Sequence, residues 1–401
     1  MMNVDSHIIE LLDVYDLSGK INKYSVVYIY GAGYVGQTIY DYLDEHGCSK
    51  LIKYFFITEG ETFELKGRDV YEISKSLIED NSIILLAAKR GIRKQLKAKC
   101  EVLGIDNYIE IMFFDDEKDY EWYSSLPEEL YCVEIKDWYK RCTSIDLNLA
   151  NPKTFNDKIN WSKLYDKDPR RTEYADKYLV RNHVKEKIGS QYLIPIYGAW
   201  EHFDDIDFDK LPNQFVLKCN HGSGWNLIVK NKRDLDYNEA RKKFNLWMNT
   251  NFAFVCGYEM HYKNIKPLII AEEYIGELDS NLLDYKVHCF KGKPKFIQVI
   301  GNRNFENHTG KQAIYDFDWN EKKWCFDDYP KYEYLLEKPN CLDELYDLSE
   351  KLSSDFQYVR IDFYILSKIL FGEMTFTPGS GIYKYIKNYK ECDALRLGSY
   401  F

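Results

Sequence analysis

Phe215-Val216-Leu217-Lys218-Cys219-Asn220-His221-Gly222-Ser223-Gly224 is the stretch on which the fold turns. A short apolar strand ends in a lysine and runs straight into small residues, so an ammonium stands beside a turn with exposed backbone N–H groups. Lysine and free amides together can cradle polyphosphate. A Gly-Ser-Gly turn between strands is more often an ordinary hairpin, so the reading depends on what surrounds it.

Downstream, Leu268-Ile269-Ile270-Ala271-Glu272-Glu273-Tyr274-Ile275 is an apolar strand with two carboxylates at its end. Alternation along a strand sends one of Glu272 and Glu273 toward a pocket and the other toward solvent. Val359-Arg360-Ile361-Asp362-Phe363 and Phe371-Gly372-Glu373-Met374-Thr375 then read as two strands joined by a short turn. Paired as a hairpin, they set Asp362 beside Glu373, with Thr375 one same-face step beyond. Two carboxylates on rigid strands are what Mg2+ on a nucleotide requires of a protein, phosphate and water filling the other positions.

These elements, in this order, resemble the ATP-grasp superfamily. The wording of Asn151-Pro152-Lys153-Thr154-Phe155 through Trp161, of Ala175-Asp176-Lys177, of Leu217 to Gly224 and of Thr375-Phe376-Thr377-Pro378-Gly379-Ser380-Gly381 resembles its TupA-like branch, the teichuronopeptide-biosynthesis type. The resemblance implies ATP and Mg2+ as cofactors, with Lys177 and Lys218 on the phosphates and Gly222, Ser223 and Gly224 as the loop over them. It implies that Glu272, at the Glu272-Glu273 strand end, accepts from the adenine amine, that Tyr274 and Ile275 line the adenine slot, and that Asp284 takes the ribose hydroxyls. Asp362 and Glu373 would hold Mg2+, with Thr375 where the superfamily usually has Asn, and Arg360 would face the γ-phosphate and the acyl phosphate formed from it. Arg303, in a loop after a strand, is a second candidate anion contact. Plainer readings stand beside these: a surface lysine for Lys177, a strand start for Asp284, a solvated loop charge for Arg303, and loop packing for His221.

The first 115 residues lie outside the resemblance. Ser25 to Tyr30, Ile52 to Ile57, Ile83 to Ala88 and Tyr108 to Met112 read as strands of a βαβ series, a Rossmann-like parallel sheet. Gly31-Ala32-Gly33-Tyr34-Val35-Gly36 follows the first strand and opens a helix. The domain is also similar to the small Rossmann-like N-terminal domains of bacterial sugar-modifying enzymes, and that similarity implies Gly31, Gly33 and Gly36 as candidates to hold a sugar nucleotide such as a UDP-sugar, with packing or dimerisation the equal alternative. A dehydrogenase is disfavoured, since the acid at the second strand, Glu59, is displaced and Tyr71 to Lys75 reads as a short helix. The expected organisation is 1–115 Rossmann-like, 116–150 a linker or bridging segment, and 151–401 an α+β ATP-grasp body, in which Arg171 to Ile188 reads as one helix.

Composition narrows the function without naming it. The net charge of -10 argues against a general nucleic-acid binder. The 35 tyrosines and 22 phenylalanines fit the codon bias of an AT-rich genome as well as sugar stacking. The 10 cysteines show no CxxC pair, and no apolar run approaches the ~18 residues of a membrane span. A cytoplasmic protein is expected, working with a polysaccharide assembly at the inner membrane face; a homo-oligomer is left open.

The leading expectation is an ATP-dependent ligase joining a carboxylate, by resemblance a uronic acid of a capsule, O-antigen or teichuronopeptide, to an amine. A glycosyltransferase, an ATP-grasp phosphotransferase and an ATP-binding scaffold are the alternatives. The first lacks a DxD motif at a strand end; the second shares the whole ATP site; the third has no need of both Asp362 and Glu373.

Overall fold

Among the described residues, apolar and aromatic runs form fifteen strands in three sheets. The computed structural model describes residues 6–115, 117–275, 282–304, 309–326, 329–383 and 391–401. The chain divides into two units, Met1–Asp137 and Trp138–Phe401.

In the first unit, β1 (Val26–Tyr30), β2 (Ile52–Ile57), β3 (Phe63–Leu65), β4 (Arg68–Glu72), β5 (Ser82–Leu86) and β6 (Tyr108–Glu110) form one sheet in the order β3-β4-β2-β1-β5-β6. All pairings are parallel except that of edge strand β3 with β4. The chain leaves the centre on one side through β2 and returns to β5 on the other, the doubly wound plan expected of a Rossmann-like domain. Tyr28, Tyr30, Ile84 and Leu86 are fully or almost fully buried, because both faces of a parallel sheet are covered. The expected helix over Tyr71 to Lys75 is absent: β4 runs to Glu72, and only Lys75–Leu77 makes a single 3-10 turn. The Lys66-Gly67 pair, both at positive φ, turns the β3–β4 hairpin, and Val70 alternates inward between more exposed neighbours. The acidic aromatic stretch that follows carries the helices Tyr120–Ser125 and Tyr131–Thr143.

The second unit holds two antiparallel sheets. β7 (Ile196–Trp200), β8 (Phe215–Cys219), β9 (Asn226–Val229) and β10 (Ile269–Glu273) are ordered β7-β10-β8-β9. The helix Tyr237–Met248 packs Ala240 and Phe244 onto this sheet. β11 (Asp284–Phe290), β12 (Lys293–Asn304), β13 (Thr309–Tyr315), β14 (Tyr358–Ile365) and β15 (Ile369–Thr375) are ordered β13-β12-β11-β14-β15. Phe155 and Ile159 of the helix Phe155–Tyr165 join Phe290, Phe296 and Tyr358 in an aromatic core beside it. That helix starts at Thr154 through a capping box with Asp157, which fixes its phase.

Two expectations fail locally. Arg171 to Ile188 is two helices, Pro169–Ala175 and Val180–Lys187, because Asp176 leaves helical geometry and its carboxylate accepts from the N–H groups of Tyr178 and Leu179. Strands β7 and β13 are not expected from the sequence; Gly198 and Gly310 weaken their apolar signal.

Candidate active site

Lys218 and Glu272 meet because β8 and β10 are antiparallel neighbours in which Val216 faces Glu272 and Lys218 faces Ile270. Both side chains then share one sheet face and form an ion pair, diagonal across the ladder. Glu272 is buried and Glu273 exposed, the division that strand alternation requires. Beyond β8, buried Asn220 fixes the turn. Its amide donates to Asp176 at 2.9 Å and to the Lys266 carbonyl at 3.0 Å, its side-chain oxygen accepts from Leu268 N–H at 2.7 Å, and its own carbonyl accepts from Lys177 N–H at 3.2 Å. Lys177 is thereby carried to the same place, where its ammonium donates to the Gly222 carbonyl at 2.6 Å. Gly224 has a φ of 73°, the left-handed region that favours glycine. His221 is buried against Trp225, with Nε2 3.1 Å from the Trp247 carbonyl and a pKa lowered by burial, so it packs the loop as a neutral ring.

The carboxylate end is built on one polar face of the five-stranded sheet. β14 and β15 pair Asp362 with Glu373 and Arg360 with Thr375, while β11 sets Lys286 opposite Asp362. The Arg360 guanidinium donates to both oxygens of Asp362 at 2.6 and 2.7 Å, to the Thr375 hydroxyl at 3.1 Å and to Glu373 at 3.4 Å. The Thr375 hydroxyl in turn lies 3.2 Å from Glu373, whose other oxygen is 3.4 Å from the Lys177 ammonium. Lys286 bridges Asp362 and Asp284, the latter at 2.8 Å, and Arg303 meets Asp284 at 3.1 Å. Cations and carboxylates thus alternate from Lys177 to Arg303. Burial pushes the Glu373 carboxyl up and the Arg360 guanidinium down, yet Lys177 holds Glu373 below the usual range and Asp362 holds Arg360 far above it.

Both groups line one cavity of about 770 Å³. Lys177, Lys218, Ser223, Gly224, Glu272, Glu273, Ile275, Asp284, Arg303, Arg360, Asp362 and Glu373 all border it. Gly222 and Thr375 stand just behind, bonded to Lys177 and Arg360, and Tyr274 lies between bordering residues without lining it itself. Gly31, Gly33 and Gly36 belong to the other unit. There Gly31 has φ 125°, a Cβ on Gly36 would lie 1.7 Å from the Gly31 carbonyl oxygen, and one on Gly33 would meet nothing within 4 Å. Sterics alone therefore demand two of these three glycines.

The sequence reading missed Lys286, Asn220 and Asp176. Lys286 had a signal, since Asp284, Lys286 and His288 alternate along β11 and mark a polar face with period two. The other two were visible only as motif wording, because the bonds that join them to each other and Asn220 to Lys266 and Leu268 span 40 or more residues.

The donor set fits Mg2+ and a nucleotide. Five cations and five carboxylates border the cavity, so its charge is locally balanced in a chain of net charge -10. A divalent cation taking Asp362 and Glu373 would free Arg360 and Lys177 to meet phosphate. Among the described residues, buried Asp284 Oδ1 and Arg303 Nε have no hydrogen-bond partner, which leaves one acceptor and one donor available in this part of the site.

A family profile described as TupA-like ATPgrasp matches residues 157–401. Among solved structures, the chain is similar to the ATP-grasp ligase PsnB complexed with minimal precursor, at 11% identity and TM-score 0.34, over 94% of this chain and 99% of that one. It is similar to the L-amino acid ligase from Bacillus licheniformis, at 11% identity and TM-score 0.33, over 90% of this chain and 69% of that one. It is similar to the D-cycloserine synthetase DcsG, at 12% identity and TM-score 0.32, over 76% of this chain and 92% of that one. No curated protein sequence matches the chain. No helix among the described residues is long and apolar enough to cross a membrane.

Proposed function

The chain belongs to the TupA-like ATP-grasp family; from that premise we propose that it is an ATP-dependent ligase that forms C–N bonds with ATP and Mg2+ and amidates a uronic acid of a cell-surface polysaccharide or its nucleotide sugar. The single observation that carries the site assignment is the alternation of cations and carboxylates along one cavity wall from Lys177 to Arg303. Resemblance to the teichuronopeptide branch supports the choice of uronic acid.

Lys218, paired with Glu272, serves the adenine-proximal phosphates, while Lys177, next to Glu373, serves the distal end. Glu272 and the backbone at Tyr274 and Ile275 receive adenine, Asp284 the ribose, and Gly222, Ser223 and Gly224 cover the phosphates. Asp362 and Glu373 hold Mg2+, assisted by Thr375; when bound, the ion neutralises phosphate charge. A substrate carboxylate oxygen takes the γ-phosphoryl group and ADP leaves; the amine nitrogen then bonds to the acyl carbon, with loss of phosphate and a proton. Arg360 and Arg303 stabilise the anionic oxygens and align them, which is most of what phosphoryl transfer asks of a protein.

The test is to incubate the chain with ATP, Mg2+ and a panel of uronic acids in hydroxylamine. ADP and a uronyl hydroxamate are the expected products. ADP release that no uronic acid stimulates, while amino acids do stimulate it, would overturn the substrate assignment.

A further inference from the structure

The helix Phe155–Tyr165 presents three buried polar side chains at i, i+4 and i+7, each donating to a backbone carbonyl of one loop. Asn156 donates to the Tyr383 carbonyl at 3.1 Å, Asn160 to Gly381 at 2.8 Å and Lys163 to Ser380 at 2.6 Å. A helix interior has no need of such groups; apolar residues would bury more cheaply. Lys163 is among the largest fully buried side chains of the chain. Its ammonium also donates to the Gly257 carbonyl at 2.9 Å and lies over the Trp138 ring.

The loop so gripped is unusual. Gly379, Ser380 and Gly381 have φ of 55°, 49° and 65°, three consecutive residues in the left-handed region. Ser380 carries a Cβ and is strained in this region, where glycine is not. Such a conformation persists only where surroundings over-determine it. Here Lys163 holds the Ser380 carbonyl, and the Ser380 hydroxyl donates to Glu259 at 2.8 Å. Glu259, also bonded to the Thr377 hydroxyl, is the buried carboxylate that faces Lys163 electrostatically.

The loop's other side is the cavity. Gly379 and Tyr383 border it together with Arg360 and Glu373. Tyr383 is stacked on Phe326 at 4.0 Å and lies near enough to influence the Arg360 guanidinium. We propose that Asn156, Asn160 and Lys163, with Glu259, are positioning residues that hold loop 377–383 against the phosphate-transfer end of the cavity and so set its affinity for the terminal phosphate. The proposal rests on the ATP reading above.

The test uses the full chain and the variants Lys163→Met and Asn160→Ala. Affinities for Mg2+–ADP and Mg2+–AMPPNP are measured by calorimetry, and hydrogen exchange is followed in peptides covering 377–383. AMPPNP affinity should fall about tenfold, the size of one buried hydrogen bond, while ADP affinity stays within about twofold. Exchange should rise in loop 377–383 and not in β8 or β10. A role confined to general stability would weaken both nucleotides alike and raise exchange throughout residues 138–401, and that result overturns the proposal, as does no change in either measurement. Should Lys163→Met not fold, Ser380→Ala removes the hydroxyl that donates to Glu259 and meets Cys256, and is read the same way. If the unmodified chain bound neither nucleotide, the ATP reading would fail, and exchange in 377–383 alone would decide whether the ladder holds the loop.

Discussion

Lys286→Met tests the charge network at its centre. The Lys286 ammonium lies between Asp362 and Asp284, both almost completely buried, and is 2.8 Å from the latter. Removing one partner of a buried ion pair costs about 3–5 kcal/mol, because the remaining charge has neither water nor a counter-ion. Asp362 keeps two Arg360 hydrogen bonds at 2.6 and 2.7 Å, and Asp284 keeps Arg303 at 3.1 Å, so the low end applies, about 3 kcal/mol. For a unit of this size that corresponds to a Tm lower by roughly 6–12 °C. Part of the loss should return on adding Mg2+, since the variant leaves two carboxylates under-neutralised that a divalent cation can hold. The assay is scanning calorimetry of the whole chain with and without Mg2+, with Lys311→Met as control. Among the described residues Lys311 pairs with the exposed Glu333, a contact worth about 0–1 kcal/mol. A Lys286→Met chain that melts within about 2 °C of the parent, with the same response to Mg2+, would refute the network as described.

Glu373→Gln should abolish ATP-dependent hydroxamate formation without unfolding the chain. It should also flatten the acid limb of stability: the carboxyl is held below its ordinary value, so its contribution is complete above about pH 4.3 and is lost as pH falls through the folded pKa. A denaturant titration series across acid pH reads that limb in parent and variant. Burial pushes the Lys163 ammonium down to about 8, so the folded chain releases this proton before the unfolded one, whose lysine titrates near 10.4. The stability of the parent relative to Lys163→Met should therefore rise by about 3 kcal/mol between roughly pH 8 and 10.4, and a difference that falls or stays flat there contradicts the burial of a charged amine. In the first unit, Gly36→Ala should lower the melting temperature sharply, since its Cβ would lie 1.7 Å from the Gly31 carbonyl, whereas Gly33→Ala, with open space around it, should leave it unchanged.

Much of this was legible along the chain because the signals were local. A strand ending in Lys218 and running into glycines, a strand ending in Glu272 and Glu273, and a two-strand hairpin carrying Asp362 and Glu373 are each short continuous stretches with period-two alternation, which decides strand and face together. The same locality explains the misses. Tyr71 to Lys75 reads as helix, but Tyr71 and Glu72 end strand β4 because β2 offers a parallel edge with Phe55 opposite Val70. Arg171 to Ile188 reads as one helix until Asp176 finds Asn220, which lies 44 residues on.

What the sequence determined by itself was the chemistry of the two polar strand faces and the βαβ plan of the first unit, since alternation and turn residues are properties of neighbours in the chain. Only the tertiary structure decided that Lys286 joins Asp284 to Asp362, that Lys177 reaches Glu373, and that Asn156, Asn160 and Lys163 grip the loop beside Arg360. Those contacts pair residues 76 to 227 positions apart, with the Lys286–Asp284 contact the one local exception, and their energies arise from burial, which no local pattern records.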